Sequence, residues 1–172
     1  MKVVYSDLKN KRVFISGGGS GIGATIVEHF CEQKSEVYFI DIDLKSSKKL
    51  IKKIKKKGYR VPKFIECNIL DVKKLQNIIE DIISKKGAIH CLINSAANDD
   101  RHTTEQVDEK YWENRMGINL KHYFFAAQAV VKGMKKIKSG SIVNLSSVSW
   151  MLGEGDKVVY ETAKSAVVGL TR

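Results

Sequence analysis

Short runs of β-branched and aromatic residues alternate along the chain with longer stretches of helical period, and this alternation narrows the folds open to it. RVFIS (12–16), EVYFID (36–41), KFIEC (63–67), HCLIN (90–94) and SIVNLS (141–146) read as five strands. Helical patterns fall near 21–33, 44–57 and 71–86, with a longer one inside 105–138. Nearly continuous apolar strands separated by helices call for a parallel sheet covered on both faces. Gly58 and Gly87 stop two of the helices, and Asp71 is placed to cap another. No repeat, low-complexity linker or compositional break divides the sequence. Residues 1–172 are therefore expected to form a single α/β domain, a doubly wound, Rossmann-like parallel sheet of at least five strands.

The first strand runs straight into SGGGSGIG (16–23), after which a helix begins. Glycine admits positive φ and lets a phosphate approach without meeting a Cβ. The helix N-terminus beyond it offers free N–H groups and partial positive charge to a pyrophosphate. Two frames are open: Gly19, Gly21 and Ala24 fit G-x-G-x-x-A, whereas Gly17, Gly21 and Gly23 fit a wider G-x-x-x-G-x-G. The candidate cofactor-binding residues here are Gly17, Gly19, Ser20, Gly21, Ile22 and Gly23. Asp41, at the tip of the second strand, can accept the adenosine ribose hydroxyls and would repel a 2′-phosphate. With Ser20 where a basic residue could stand in the glycine loop, NAD is expected over NADP. Asp43 reads instead as the cap of the following helix.

The net charge of +11 is concentrated in KSSKKLIKKIKKKGYR (45–60), where Leu50, Ile51 and Ile54, with Leu44 before them, share a face. This reads as a solvated outer helix. No aromatic or arginine interleaving supports base stacking or groove readout, so no specific nucleic-acid partner is expected. The longest near-apolar run, 123–131, falls short of the roughly 18 residues a membrane span needs. The start shows no signal-peptide pattern. Cys31, Cys67 and Cys91 are far apart and lack metal-ligand spacing; buried thiols in a cytoplasmic protein without a metal are the expectation.

Near the end of the chain, VVYETAKSAVVGLTR carries Tyr160 and Lys164 four positions apart, on one helical face. A phenol, with a pKa near 10, is a poor base at neutral pH, and a nearby ammonium favours its ionised form. Alone the pair is common on amphipathic helices. With the glycine turn and Ser147, just past the fifth strand, it becomes specific. In this ordered set the chain resembles the short-chain dehydrogenase/reductase family over nearly its whole length. The resemblance rests on Gly17, Gly21 and Gly23, on Ser147 in NLSSVSW, on Tyr160 and Lys164 in YETAK, and on Asn119 in GINLKHYF.

That resemblance implies a hydride transfer between nicotinamide and a secondary alcohol or sugar hydroxyl or carbonyl. Tyr160 would exchange a proton with the substrate oxygen, and Ser147 would hydrogen-bond that oxygen. Lys164 would favour the phenolate and hold the nicotinamide ribose, so Tyr160 and Lys164 also count among the cofactor contacts. Asn119 would anchor a relay water or, equally, bond local backbone. Asn68, Ile69, Asn94 and Ala96, after the third and fourth strands, complete the implied cofactor contacts. Two positions depart from the family pattern: Ala97 replaces a glycine, and Asn68 an aspartate that contacts adenine.

The stretch NSAANDDRHTTEQVDEKYW looks like that of sugar-oxidising members, which convert aldoses to lactones. Asp99, Asp100, Arg101 and His102 would suit a polyhydroxylated substrate, or else form a solvated loop. Trp150 and Met151 line the pocket or pack in the core. The family's later strands and the lid over nicotinamide and substrate are not seen after the Tyr160 helix, which leaves the fifth strand an open edge. The expectation is a C-terminally truncated member or a site completed by a second chain. A catalytically silent fragment that binds dinucleotide or packs on a partner is the alternative. The resemblance also implies a homodimer or homotetramer.

Overall fold

The computed structural model describes residues 3–172. Five parallel strands, β1 (Arg12–Ser16), β2 (Glu36–Asp41), β3 (Lys63–Glu66), β4 (Cys91–Asn94) and β5 (Ser141–Asn144), lie in the order β3-β2-β1-β4-β5. They carry helices α1 (Gly21–Glu32), α2 (Leu44–Lys56), α3 (Val72–Lys86), α4 (Glu109–Met116), α5 (His122–Ile137), α6 (Ser149–Leu152) and α7 (Val158–Thr171). The chain passes from β1 outward to β2 and β3, then returns across β1 to β4. The strand order therefore reverses beside β1, and in open sheets of this kind the ligand crevice lies at that reversal, at the carboxyl ends of the strands.

Period-two alternation sorts the core into two layers. Phe14, Tyr38, Ile40 and Leu92 face one side, against Leu75, Ile79 and Ile82 of α3 and Ala126, Val130 and Met134 of α5. Val13, Ile15, Val37, Phe39 and Ile93 face the other, against Val27 and Cys31 of α1 and Leu50 and Ile54 of α2. Phe14 pairs with Tyr38 on one side and Leu92 on the other. A one-residue slip would send every one of these side chains into the opposite layer, and for that reason the register is firmly set. Cys31 and Cys67 are buried free thiols, and burial pushes Cys31 up to about 12.

The lysine-rich α2 turns Leu50 and Ile54 inward and its lysines outward, and Lys53, with Lys57 just past the helix, reaches Glu28 of α1. Leu44, expected on the apolar face, is 40% exposed at the helix start. Asp43 caps α2 by accepting the Ser46 N–H at 2.9 Å, and Asp71 caps α3 in the same way through Lys74. The long helix expected within 105–138 is interrupted. Asp108 starts α4 by accepting the Tyr111 N–H at 2.6 Å, and a π turn over Gly117–Lys121 joins α4 to α5. Such turns are concentrated at functional sites, and this one carries Asn119. β5 is an edge strand with Val143 44% exposed. No helix among the described residues is long and apolar enough to cross a membrane.

Candidate active site

A cleft of about 660 Å³ opens where the strand order reverses. The turn after β1 forms its floor. Gly17, at φ +68°, lies so close to the loop after β4 that a Cβ would sit 2.6 Å from the Ala96 Cα. At Gly23 a Cβ would lie 2.0 Å from the Gly17 carbonyl oxygen, a distance no side chain survives. A Cβ at Gly19 would likewise meet Ser47 Oγ at 2.6 Å, whereas Gly21 has open space around it and needs glycine for its φ of +52°. Gly19 acts through its backbone, where its N–H donates to Asp41 Oδ2 at 2.8 Å, while the Asp43 N–H donates to Oδ1 at 2.9 Å. Both carboxylate oxygens of Asp41 are thus held by backbone at the end of β2. No side chain caps α1, whose first turn (Gly21, Ile22, Gly23) opens on the cleft. An uncapped helix N-terminus, a turn closed to side chains and a fixed carboxylate fit the pyrophosphate and ribose of a dinucleotide.

Tyr160 and Lys164 of α7 stand together on the opposite wall, with the Lys164 Nζ 5.5 Å from the centre of the Tyr160 ring. The Tyr160 hydroxyl makes no hydrogen bond to any described residue. Lys164 is 1% exposed. Its amine donates to the Tyr123 hydroxyl at 2.9 Å and to the Leu145 carbonyl at 2.8 Å. An ammonium has three donors, and with two engaged by the protein one remains for the cleft. Burial draws the Lys164 pKa down to about 8 and pushes the Tyr123 phenol above its ordinary value. Sequence reasoning missed Tyr123, because in HYFFAAQAVV it looks like one more apolar core residue.

Ser20, Asn68, Ile69 and Ala96 also line the cleft, with Ala97 and Asp99. Asn68 Oδ1 accepts the Leu70 N–H at 3.0 Å, which leaves its NH2 group for a ligand. Gly19, Asn94, Asn119 and Ser147 lie outside the lining. Asn94 is buried in the sheet, where its Nδ2 donates to Asn144 Oδ1 at 2.8 Å. The Oδ1 of that amide has no partner among the described residues, and its side chain lies outside the cleft lining. Asn119 is fully buried and spends its amide on the backbone of Asn98: Oδ1 accepts the Asn98 N–H at 2.8 Å, and Nδ2 donates to the Asn98 carbonyl at 2.9 Å. Ser147 turns its hydroxyl to Ser149 Oγ at 2.9 Å, beside the cleft wall formed by Ser146.

The polar run Asp99–His102 divides. Asp99 alone faces the cleft; Asp100 pairs with Arg115, Arg101 with Asp156, and His102 is buried. Opposite charges across the loop engage Asp100 and Arg101, which accords with the solvated-loop reading for these two residues. Met151 is exposed and Trp150 half-buried, so neither lines the cleft. At the foot of the site His122 is buried against Ser16 Oγ (3.4 Å), and burial together with the Lys164 charge lowers its ring pKa to about 3. The described residues contain no cluster of three potential metal ligands.

Residues 11–172 match the family model described as short chain dehydrogenase. The chain is 41% identical over 170 residues to D-xylose 1-dehydrogenase of Caulobacter vibrioides, covering 98% of this chain and 66% of that protein. It is 38% identical over 168 residues to the Rhizobium meliloti protein named "Probable galactose dehydrogenase GalD", with the same coverage. The ligand-free structure of Thermoplasma acidophilum aldohexose dehydrogenase superposes with a TM-score of 0.83 at 28% identity, over 97% of this chain and 61% of that one. The chain thus spans about two thirds of the length of the curated relatives it matches. A reversing parallel sheet, a glycine turn beneath it and a matching family model over all but ten residues together make this chain a member of the short-chain dehydrogenase family.

Proposed function

We propose that this chain forms the dinucleotide-binding and catalytic portion of an NAD-dependent sugar dehydrogenase that oxidises an aldose to a lactone. One observation carries the reading: Tyr160 and Lys164 share a cleft with the glycine turn and Asp41. Oxidation removes a hydride from the carbinol carbon and a proton from its hydroxyl. A bound nicotinamide supplies the hydride acceptor. The Tyr160 oxygen, unengaged by other described residues, takes the proton from the sugar hydroxyl, and a cationic Lys164 favours the charged phenol that can do so. The remaining Lys164 donor holds a ribose hydroxyl. Ser147, swinging from Ser149, hydrogen-bonds the reacting oxygen.

Asp41 supports NAD, because a carboxylate held by two backbone N–H groups cannot turn away from a 2′-phosphate. The sugar assignment leans on the two relatives named for galactose and xylose, and on Asp99, whose carboxylate offers the cleft an acceptor for a sugar hydroxyl. Phe124 and Val131, exposed seven residues apart on α5, support pairing with a second copy in a homodimer or homotetramer.

The test follows NADH formation by the 172-residue chain with galactose, xylose and simple secondary alcohols, beside Tyr160→Phe. Turnover with an aldose and its loss in the variant are expected. NADH formation undiminished in Tyr160→Phe would remove Tyr160 from the chemistry, and NAD binding without turnover on any of the panel would favour a catalytically silent dinucleotide-binding fragment.

A further inference from the structure

The helix that carries Tyr160 and Lys164 begins without a cap of its own. α2, α3 and α4 are each capped by an aspartate side chain, whereas the N-cap position of α7 is Lys157, whose side chain caps nothing. A helix start leaves its first N–H groups without intrahelical partners, and one left unmet in a buried place is costly. Here one of them, the Val159 N–H, points to His102 Nε2 at 3.3 Å. His102 is 57 residues away in the chain and 6% exposed.

The partners of the ring assign its hydrogen. A backbone N–H only donates, so Nε2 must present its lone pair to Val159. A backbone carbonyl only accepts, so Nδ1, 3.0 Å from the Asp100 oxygen, must carry the proton. The Tyr111 hydroxyl lies 2.8 Å from the same Nδ1 and packs edge-on against the ring, and Arg115 lies over the Tyr111 ring. The His102 backbone N–H donates to the Asp156 carbonyl at 2.7 Å, and Arg101 pairs with the Asp156 side chain. The loop after β4 is thereby fastened both to the short segment that leads into α7 and to the first turn of that helix.

We propose that His102, as the neutral Nδ1–H tautomer, is the cap of α7 and the positioning residue that sets where Tyr160 stands in the cleft. Its side chain lies outside the cleft lining. Val159 immediately precedes Tyr160, so a loosened first turn displaces the phenol before it displaces Lys164, one turn deeper. The consequence for catalysis rests on the dehydrogenase reading above; the cap itself does not.

The experiment compares the wild-type chain with His102→Gln, which keeps an acceptor near the Nε2 position, and His102→Leu, which fills the space without one. Two-bond nitrogen–proton spectra of the wild-type ring are expected to show Nδ1 protonated and Nε2 bare. The Val159 amide is expected to exchange faster with solvent in His102→Leu and to be protected again in His102→Gln. In turnover, kcat of His102→Leu should fall by about tenfold to a hundredfold, the scale of a misplaced reacting group, with NAD affinity unchanged and kcat largely restored in His102→Gln. A ring protonated at Nε2, a Val159 amide indifferent to the leucine, or equal kcat losses in both variants overturns the proposal. Absence of turnover by the wild type counts against the dehydrogenase reading alone, since the ring spectrum and amide exchange need no activity.

Discussion

The Lys164 amine is hydrogen-bonded to the hydroxyl of Tyr123, a phenol on α5, at 2.9 Å, while Tyr160 on its own helix stands further off, with its ring centre 5.5 Å from that amine. The Tyr123 hydroxyl in turn donates to the Leu145 carbonyl at 3.1 Å, which also receives the amine. Lys164 is therefore aimed by a buried triangle of protein groups before any ligand arrives.

Tyr123→Phe removes one corner of that triangle and keeps the ring. A buried donor left short of a partner costs about 1–3 kcal/mol, and urea unfolding at neutral pH is expected to show a loss of this size. With an acceptor gone, the ammonium is also less favoured, so the Lys164 pKa should fall further below 8 when followed by NMR of labelled lysine. An unchanged unfolding midpoint would mean that the amine finds another partner.

Stability should also carry the mark of Lys164 burial. Its pKa is 10.5 as an ordinary lysine and about 8 in the fold. Between those values the unfolded chain binds more protons than the folded one, so this residue makes folding more favourable as pH rises through the window. Below about 8 both states hold the proton and the penalty is complete; above 10.5 it is gone. The stability gap between wild type and Lys164→Met should change by roughly 3 kcal/mol across the window, read from urea midpoints at a series of pH values.

Gly23→Ala tests the floor of the cleft. Its new Cβ would meet the Gly17 carbonyl oxygen at 2.0 Å, a backbone atom with no flexible side chain to yield. The expected cost is about 2 kcal/mol or more, as for an overpacked core, together with loss of measurable NAD binding in calorimetric titration. Retained NAD affinity would show that the dinucleotide does not cross this turn.

Asp41→Ala addresses cofactor choice. Removing one negative charge beside a 2′-phosphate is worth about 1–2 kcal/mol at partly screened distances, or about tenfold in the ratio of NADP to NAD affinity. The ratio should move toward NADP. A ratio that does not move would place the adenosine ribose elsewhere.

Most of the architecture could be read from residue order. The strand runs appear within a residue or two of their expected bounds, because β-branched runs and helical periods act over a few neighbours. The glycine turn announced itself because only glycine tolerates the φ at Gly17 and the contact at Gly23. Asp43 could be told from Asp41 by its position one residue before a helix, and it does cap α2. The Tyr160–Lys164 pair shares a face because four residues make about one helical turn.

What lay beyond reach of the sequence depends on encounters across the fold. Tyr123 and Lys164 are 41 residues apart, and His102 and Val159 are 57 apart. Nothing in a local window tells a phenol that stiffens a core from one that aims a lysine. Asp100 and Arg101 could be read as substrate contacts or as a solvated loop, and only the fold supplied Arg115 and Asp156 as their partners. The bond between the Asn94 and Asn144 amides joins residues 50 apart, which no local window links. Local propensity and steric tolerance are written residue by residue. Pairing, burial and the pKa of a buried amine arise only when distant segments exclude water from one another.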